Sequence, residues 1–214
     1  MTILNNPCLI PLWIKLLYTT FMAVLVPVYL YHYGPTNFLY FCDVAAVMTL
    51  IAVWTESSLL CSAALVGIFV PQMVWVLDFF SELFGIPLTG MTHYMFDHAK
   101  PFYLRFLSFF HFWLPVVLIF LVHRLGYDGR GALMWTVLAL ILMPVCFYLM
   151  PAPGPNVDPN LPRNINYVYG FSEAKEQALM NRYAYFALMM VGLPVLMLFP
   201  THMFFAWLMP EARG

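Results

Sequence analysis

Charge is what this sequence has least of. Nine Lys or Arg and ten Asp or Glu make up only 9% of its 214 residues, against roughly a quarter in an ordinary soluble domain. So few charges cannot cover a water-facing surface, which excludes a separate soluble domain. The formal net charge of −1 gives no reason to expect nucleic acid as a partner. Cysteine is scarce too. Cys8, Cys42, Cys61 and Cys146 are the four; three lie in apolar runs and none is closely paired, so neither a disulfide framework nor a zinc ribbon is expected. Internal repeats, heptads and low-complexity tracts are also missing.

What is present is apolar. Hydrophobic residues make up 63% of the chain, and the mean hydropathy is +0.82. Runs of this length read as membrane spans, each of about 20 residues. The expected fold is all-α: a polytopic integral membrane protein forming one six-helix transmembrane domain over residues 1–214, with spans near 10–32, 37–55, 59–80, 102–123, 132–150 and 184–207. The first run, from Leu9 to about Tyr31, is too long for a signal-peptide core and lacks a small-residue cleavage site after it, so it is expected to stay as a helix. Pro71, Pro115, Pro144 and Pro194 fall within spans, where neighbouring helices can accommodate a kink.

Six spans put both termini on one side. The first, third and fifth connections then share the opposite, long-loop face. Lys15, Arg124, Arg130 and Arg213 fall on the terminal side and Lys100, Arg105, Arg163, Lys175 and Arg182 on the other; leaving aside the long loops, this places the termini in the cytoplasm. The fifth connection opens with the proline-rich PAPGPNVDPNLPR, extended or turned, and its Ser172–Gln177 portion reads as a short capped helix.

The rare ionisable residues gather toward that long-loop face. Cys42 and Asp43 stand side by side about five residues into span two, and His111 about nine residues into span four. Asp78 lies near the exit of span three, and the third connection adds His93, Asp97 and His98. Titratable groups at membrane depth are costly and mark function. Each also has a plainer reading. His111 is either a core histidine bonded to a neighbouring carbonyl, or a base or metal ligand. Cys42 is either a small buried hydrophobe or a thiol activated by a base. Asp43 is either half of an ion pair with Arg105, Arg163, Arg182 or a histidine, or an orienting or metal-binding carboxylate. His93 and Asp97 are one helical turn apart if that segment is helical; otherwise the loop is a solvated interfacial one.

Two stretches carry a resemblance. YGPTNFLYFCDV, from Tyr33 to Val44, and FLSFFHFWLPVVLI, from Phe106 to Ile119, are similar to segments of the six-span androgen-induced and androgen-dependent membrane hydrolases, which cleave fatty-acid esters of hydroxy fatty acids with an intramembrane Thr and His. The resemblance puts the family's histidine at His111. It puts Tyr40 where the threonine belongs, so the expected nucleophile is missing. The related YwaF-type bacterial membrane proteins and their animal acyltransferase relative have Leu-Cys at the matching place, similar to Phe41-Cys42, which implies Cys42 as the nucleophile.

The leading expectation is therefore a lipid acyl-ester hydrolase or acyltransferase of a bacterial inner membrane, acting on a membrane lipid or fatty-acyl substrate that enters laterally. Cys42 attacks, His111 serves as base, and Asp43 or Asp78 orients it. Asn37, Ser108 or backbone amides stabilise the oxyanion. This chemistry requires no cofactor. A second reading is a zinc-dependent hydrolase with Asp43, His93, Asp97, His98 and His111 as ligands, kept open by distant likeness to seven-span ceramidase-type hydrolases. A third is a non-enzymatic subunit of a larger membrane complex.

Overall fold

The computed structural model describes residues 9–86, 88–154, 161–172 and 175–212, so Cys8 and the centre of the Ser172–Gln177 segment lie outside them. Among the described residues every regular element is helical. In chain order they are α1 (Leu12–Tyr33), a 3-10 turn (Pro35–Leu39), α2 (Phe41–Thr55), α3 (Ser58–Leu83), the short α4 (His93–Phe96), α5 (Phe102–Leu107), α6 (Phe110–Leu125), α7 (Arg130–Leu149), a 3-10 turn (Ile165–Tyr167), α8 (Arg182–Gly192), a wide turn of π geometry (Leu193–Leu198) and α9 (Phe199–Leu208). Five of the resulting rods are long and apolar enough to cross a membrane: α1, α3, α5–α6, α7 and α8–α9. The sixth apolar helix, α2, has 15 residues.

Local chemistry sets these boundaries. Gly34, at φ 74°, ends α1 by turning left-handed. Glu56 does the same for α2 at φ 51°, and the Ser57 hydroxyl then caps α3 by accepting from the Leu60 N–H at 3.2 Å. Prolines 27, 71, 115 and 144 sit inside helices. Pro194 opens the wide turn, where the Phe199 N–H reaches back five residues to the Pro194 carbonyl.

Two expected spans are reshaped. Span two was expected from residue 37, but residues 35–39 form the 3-10 turn and α2 begins only at Phe41. Span four is interrupted at Ser108–Phe109. There the ladder tightens, with the His111 N–H on the Ser108 carbonyl at 3.2 Å and the Phe112 N–H on the Phe109 carbonyl at 3.0 Å. The Ser108 hydroxyl donates to the Leu104 carbonyl at 3.2 Å, a back-bond that bends helices. Ser172 and residues 175–177 are not helical; instead the Gln177 N–H bonds the Tyr169 carbonyl at 2.9 Å.

At the centre stands α3, packed against α2, α6 and α7 and touching α9. Its first half is built of small residues, Cys61, Ser62, Ala63, Ala64 and Gly67, all buried, which lets α7 approach closely. A Cβ on Gly67 would lie 1.8 Å from Cε2 of Trp135, so the indole occupies the place of a side chain.

Both described ends of the chain meet at one end of the bundle. Glu56 accepts from the N–H groups of Leu9 (3.0 Å) and Ile10 (3.1 Å) and from Lys15 Nζ (2.8 Å). Arg124 Nη2 donates to the Leu9 carbonyl at 3.1 Å. The Tyr127 N–H reaches the Pro210 carbonyl at 2.6 Å, and the Ala212 N–H returns to the Tyr127 carbonyl at 3.0 Å. The described parts of the connections between α3 and α5 and between α7 and α8 lie at the other end, where Arg105 meets the Met95 carbonyl and Asn166 meets Phe41.

Candidate functional site

The start of α2 is held by a residue far away in sequence. Asn166 Oδ1 accepts from the Phe41 N–H at 2.8 Å, while its Nδ2 donates to the Leu39 carbonyl at 2.9 Å and to Cys146 Sγ at 3.4 Å. The Tyr40 hydroxyl donates to the Arg163 carbonyl at 3.3 Å. The segment supplying these contacts is strained: Asn164 (φ 47°), Asn166 (φ 58°) and Tyr167 (φ 58°) all take left-handed backbone, which disfavours residues with a Cβ. The Asn164 side chain holds that bend, donating to the carbonyls of Gly170 (2.6 Å) and Ser172 (3.0 Å) and accepting from the Tyr169 N–H (2.9 Å).

Because α2 starts late, Cys42 and Asp43 lie in its first turn rather than a turn and a half inside it. Asp43 is 2% exposed. Its Oδ2 accepts from Asn37 Nδ2 at 2.9 Å and faces the Cys42 thiol at 4.0 Å, while Oδ1 finds no hydrogen-bond partner among the described residues. The thiol sits in the first turn of α2, where a helix N-terminus turns its free N–H groups toward negative charge. The ion pair expected for Asp43 does not form with the arginines considered for it. Arg105 donates to the Met95 carbonyl at 3.1 Å, Arg163 to the Gly154 carbonyl at 3.3 Å, and Arg182 pairs with Glu176.

His111 sits on the far side of an aromatic cluster. Its Nδ1 lies 2.7 Å from the Ser108 carbonyl. A carbonyl only accepts, so Nδ1 carries the proton and Nε2 is left as the basic nitrogen. Its ring stacks on Trp75 at 4.7 Å and 16° and leans on Phe110 at 4.2 Å. Among the described residues no hydrogen bond joins His111 to Cys42 or Asp43. Two tyrosines lie between them. The Tyr29 hydroxyl is 3.0 Å from Ser108 Oγ and feels the Asp43 carboxyl. The Tyr94 phenol has Ser108, Trp75 and the Cys42 thiol as neighbours, and burial raises its pKa above the usual phenol value. So Asn37, Cys42, Asp43, Tyr29, Tyr94, Ser108 and His111 form one neighbourhood. The tyrosines escaped the sequence reading, although Tyr94 lies within its HYMFDH segment.

The other candidates are placed elsewhere. Asp78 is fully buried, and both its oxygens are taken: Oδ1 by the N–H groups of Thr89 (2.6 Å) and Gly90 (3.1 Å), Oδ2 by Thr92 N–H (3.0 Å) and hydroxyl (2.8 Å). It shapes the 89–92 loop and makes no hydrogen bond to His111. His93 pairs with Glu82 on an exposed surface, Asp97 accepts from the Ala99 N–H at 2.8 Å, and His98 is exposed. Among the described residues no three His, Cys, Asp or Glu converge as a metal site, the candidate ligands Asp43, His93, Asp97, His98 and His111 included. A cavity of about 530 Å³ lies against α7, the wide turn and α9, lined by Leu133, Thr136, Pro194, Leu198 and His202; it includes none of the Cys42 neighbourhood.

Chemically, the arrangement offers a thiol on a helix N-terminus, a carboxyl with one oxygen uncommitted, and a neutral imidazole with a free basic nitrogen, all at the long-loop end of an apolar bundle. Comparison of the chain with known protein families, characterised proteins and solved structures finds no match.

Proposed function

We propose that the protein is a membrane-embedded lipid acyl-ester hydrolase or acyltransferase with Cys42 as its nucleophile and His111 as its base. The observation that carries this reading is the Asn37–Asp43–Cys42 cluster where the 3-10 turn meets the first turn of α2, in the same neighbourhood as His111 with Nε2 uncommitted. The likeness of the 33–44 and 106–119 stretches to intramembrane acyl hydrolases and transferases supports it.

In this mechanism the thiol proton reaches His111 Nε2 through the Tyr94 phenol, which neighbours the Cys42 thiol, as Sγ bonds to the ester carbonyl carbon. Collapse of the tetrahedral adduct breaks the carbon–oxygen bond, and the imidazolium returns the proton to the leaving alkoxide. The resulting thioester is resolved by water, giving a fatty acid, or by an acceptor alcohol, giving a new ester. Asp43 makes no hydrogen bond to His111 among the described residues; its Oδ2 is held by Asn37 at 2.9 Å. We place the chain in a bacterial inner membrane with cytoplasmic termini.

The test is turnover of p-nitrophenyl palmitate by purified protein in lipid nanodiscs, with hydroxylamine-sensitive acylation of the protein as a second readout. Cys42→Ala and His111→Ala should each abolish both signals, and the double variant should lose little more than either, since the two act as a unit. Equal turnover by wild type and Cys42→Ala would remove the cysteine from the reaction. Absence of acylation in wild type, with other chains co-purifying in fixed ratio, would instead favour a non-enzymatic subunit.

A further inference from the structure

One amide deep in the bundle stands outside the hydrogen-bond network. Gln72 is 1% exposed, and neither its Nε2 nor its Oε1 finds a partner among the described residues. It follows Pro71 in the middle of α3, the helix that packs against α2, α6 and α7. A buried amide without a partner is costly, more so in an apolar bundle, and such groups in native structures call for an explanation.

Its position gives one. Leu65, Ile68, Gln72 and Trp75 are buried at four- and three-residue steps, so they share one face of α3. Gln72 is therefore one turn from Trp75, whose ring carries the His111 imidazole at 4.7 Å, and lies about 4.5 Å further into the bundle along the helix axis. Two further buried polar atoms without partners among the described residues belong to helices that pack on α3. One is Asp43 Oδ1; the other is Nε1 of Trp135, whose ring lies 5.8 Å from that of Phe41, the residue before Cys42.

We propose that Gln72 is the oxyanion donor of the acyl-transfer site, with Nε2–H bonding the carbonyl oxygen of the substrate ester and strengthening that bond as charge develops there. This rests on the acyl-transfer reading above. It also narrows the substrate. A neutral amide at mid-helix depth suits a neutral ester carbonyl whose acyl chain lies in the hydrocarbon, whereas a charged headgroup would be costly at that depth. The reacting bond is thus the ester of a long-chain acyl group presented from within the membrane, with any charged headgroup directed back toward the long-loop face.

Gln72→Leu and Gln72→Met keep the volume and remove the donor. Three readouts are taken in nanodiscs: acylation by p-nitrophenyl palmitate, alkylation of Cys42 by iodoacetamide (which develops no oxyanion), and melting temperature. The expected result is a loss in acylation rate of roughly 100- to 1,000-fold, with alkylation within twofold of wild type and melting unchanged or raised. If both variants acylate within twofold of a wild type that itself depends on Cys42, Gln72 is not the donor and the acyl-transfer reading stands. If both variants melt lower and lose alkylation and acylation in parallel, Gln72 is a packing residue, and the proposal falls. If wild type shows no Cys42-dependent acylation, the acyl-transfer reading fails, and the oxyanion role with it.

Discussion

Asn166 joins backbone strain to the candidate site at the scale of one side chain. It adopts φ 58° while its amide closes both sides of the turn that delivers Cys42. Asn166→Gly keeps the left-handed backbone and loses the three side-chain hydrogen bonds, so it should cost about 1–3 kcal/mol. Asn166→Ala should lose a further 1 kcal/mol or so from the Cβ in left-handed geometry. Chemical denaturation in detergent checks both. Equal stability of the two variants would mean that the loop relaxes and that no strain is held there. Asp128, outside the spans, gives a pH-dependent counterpart. Its bidentate bond to Arg130 holds its pKa below the usual carboxylate value. A depressed folded-state pKa stabilises the fold above the unfolded value, near pH 4, and that stability is lost as pH falls through the folded value. Asp128→Asn should therefore show a flatter loss of stability below about pH 4, and identical acid profiles would dismiss the pair as a contributor. At this scale the unusual density of Cys42, Asp43 and His111 in apolar sequence singles out the candidate site. The partners were not legible. Asn166 reaches Phe41 across 125 positions, and nothing local to either residue signals that contact.

Elements were legible where the hydrophobic run alone decides them and obscure where a side chain intervenes. Spans one, three and five fall within a few residues of expectation because turn residues such as Gly34, Ser57 and Gly129 end or begin them. The late start of α2 and the break at Ser108 depend on Asn166 and on a serine back-bond, which hydropathy does not register. The closest helix contact follows the same logic. Gly67 reads as a mild helix breaker, yet its role is to admit the Trp135 ring between α3 and α7. Gly67→Ala improves helix propensity by about 1 kcal/mol but forces that ring aside, an overpacking cost of about 1–3 kcal/mol. The expected net result is a lower melting temperature, with tryptophan emission shifted as the indole moves. A stabilised variant with unchanged emission would show that the helices separate freely.

For the molecule as a whole, the crossing of α2 decides the topology. Its 15 residues span about 22 Å at 1.5 Å each, short of a hydrocarbon core of about 30 Å. The adjoining 3-10 turn, Pro35–Leu39, adds about 10 Å at 2.0 Å per residue, so the two together match the membrane. The polar contacts agree with that addition. Glu56, at the end of α2, is bonded to Leu9, Ile10 and Lys15 at the terminal end, while Asn166 grips its beginning at the long-loop end. A helix anchored at both ends by opposite sets of connections crosses the bundle rather than dipping into it. We predict six crossings, and with them both termini on one side and the Asn166 loop on the other. Reporter fusions at Met1 and Gly214 should score on the same side, and a reporter inserted after Gly154 on the opposite side. Fusions at the two termini that score on opposite sides would reduce the crossings to an odd number and place α2 in one leaflet. Cys42 would then open toward the interface rather than into the bundle, and its labelling by a membrane-impermeant maleimide would rise from slow to complete.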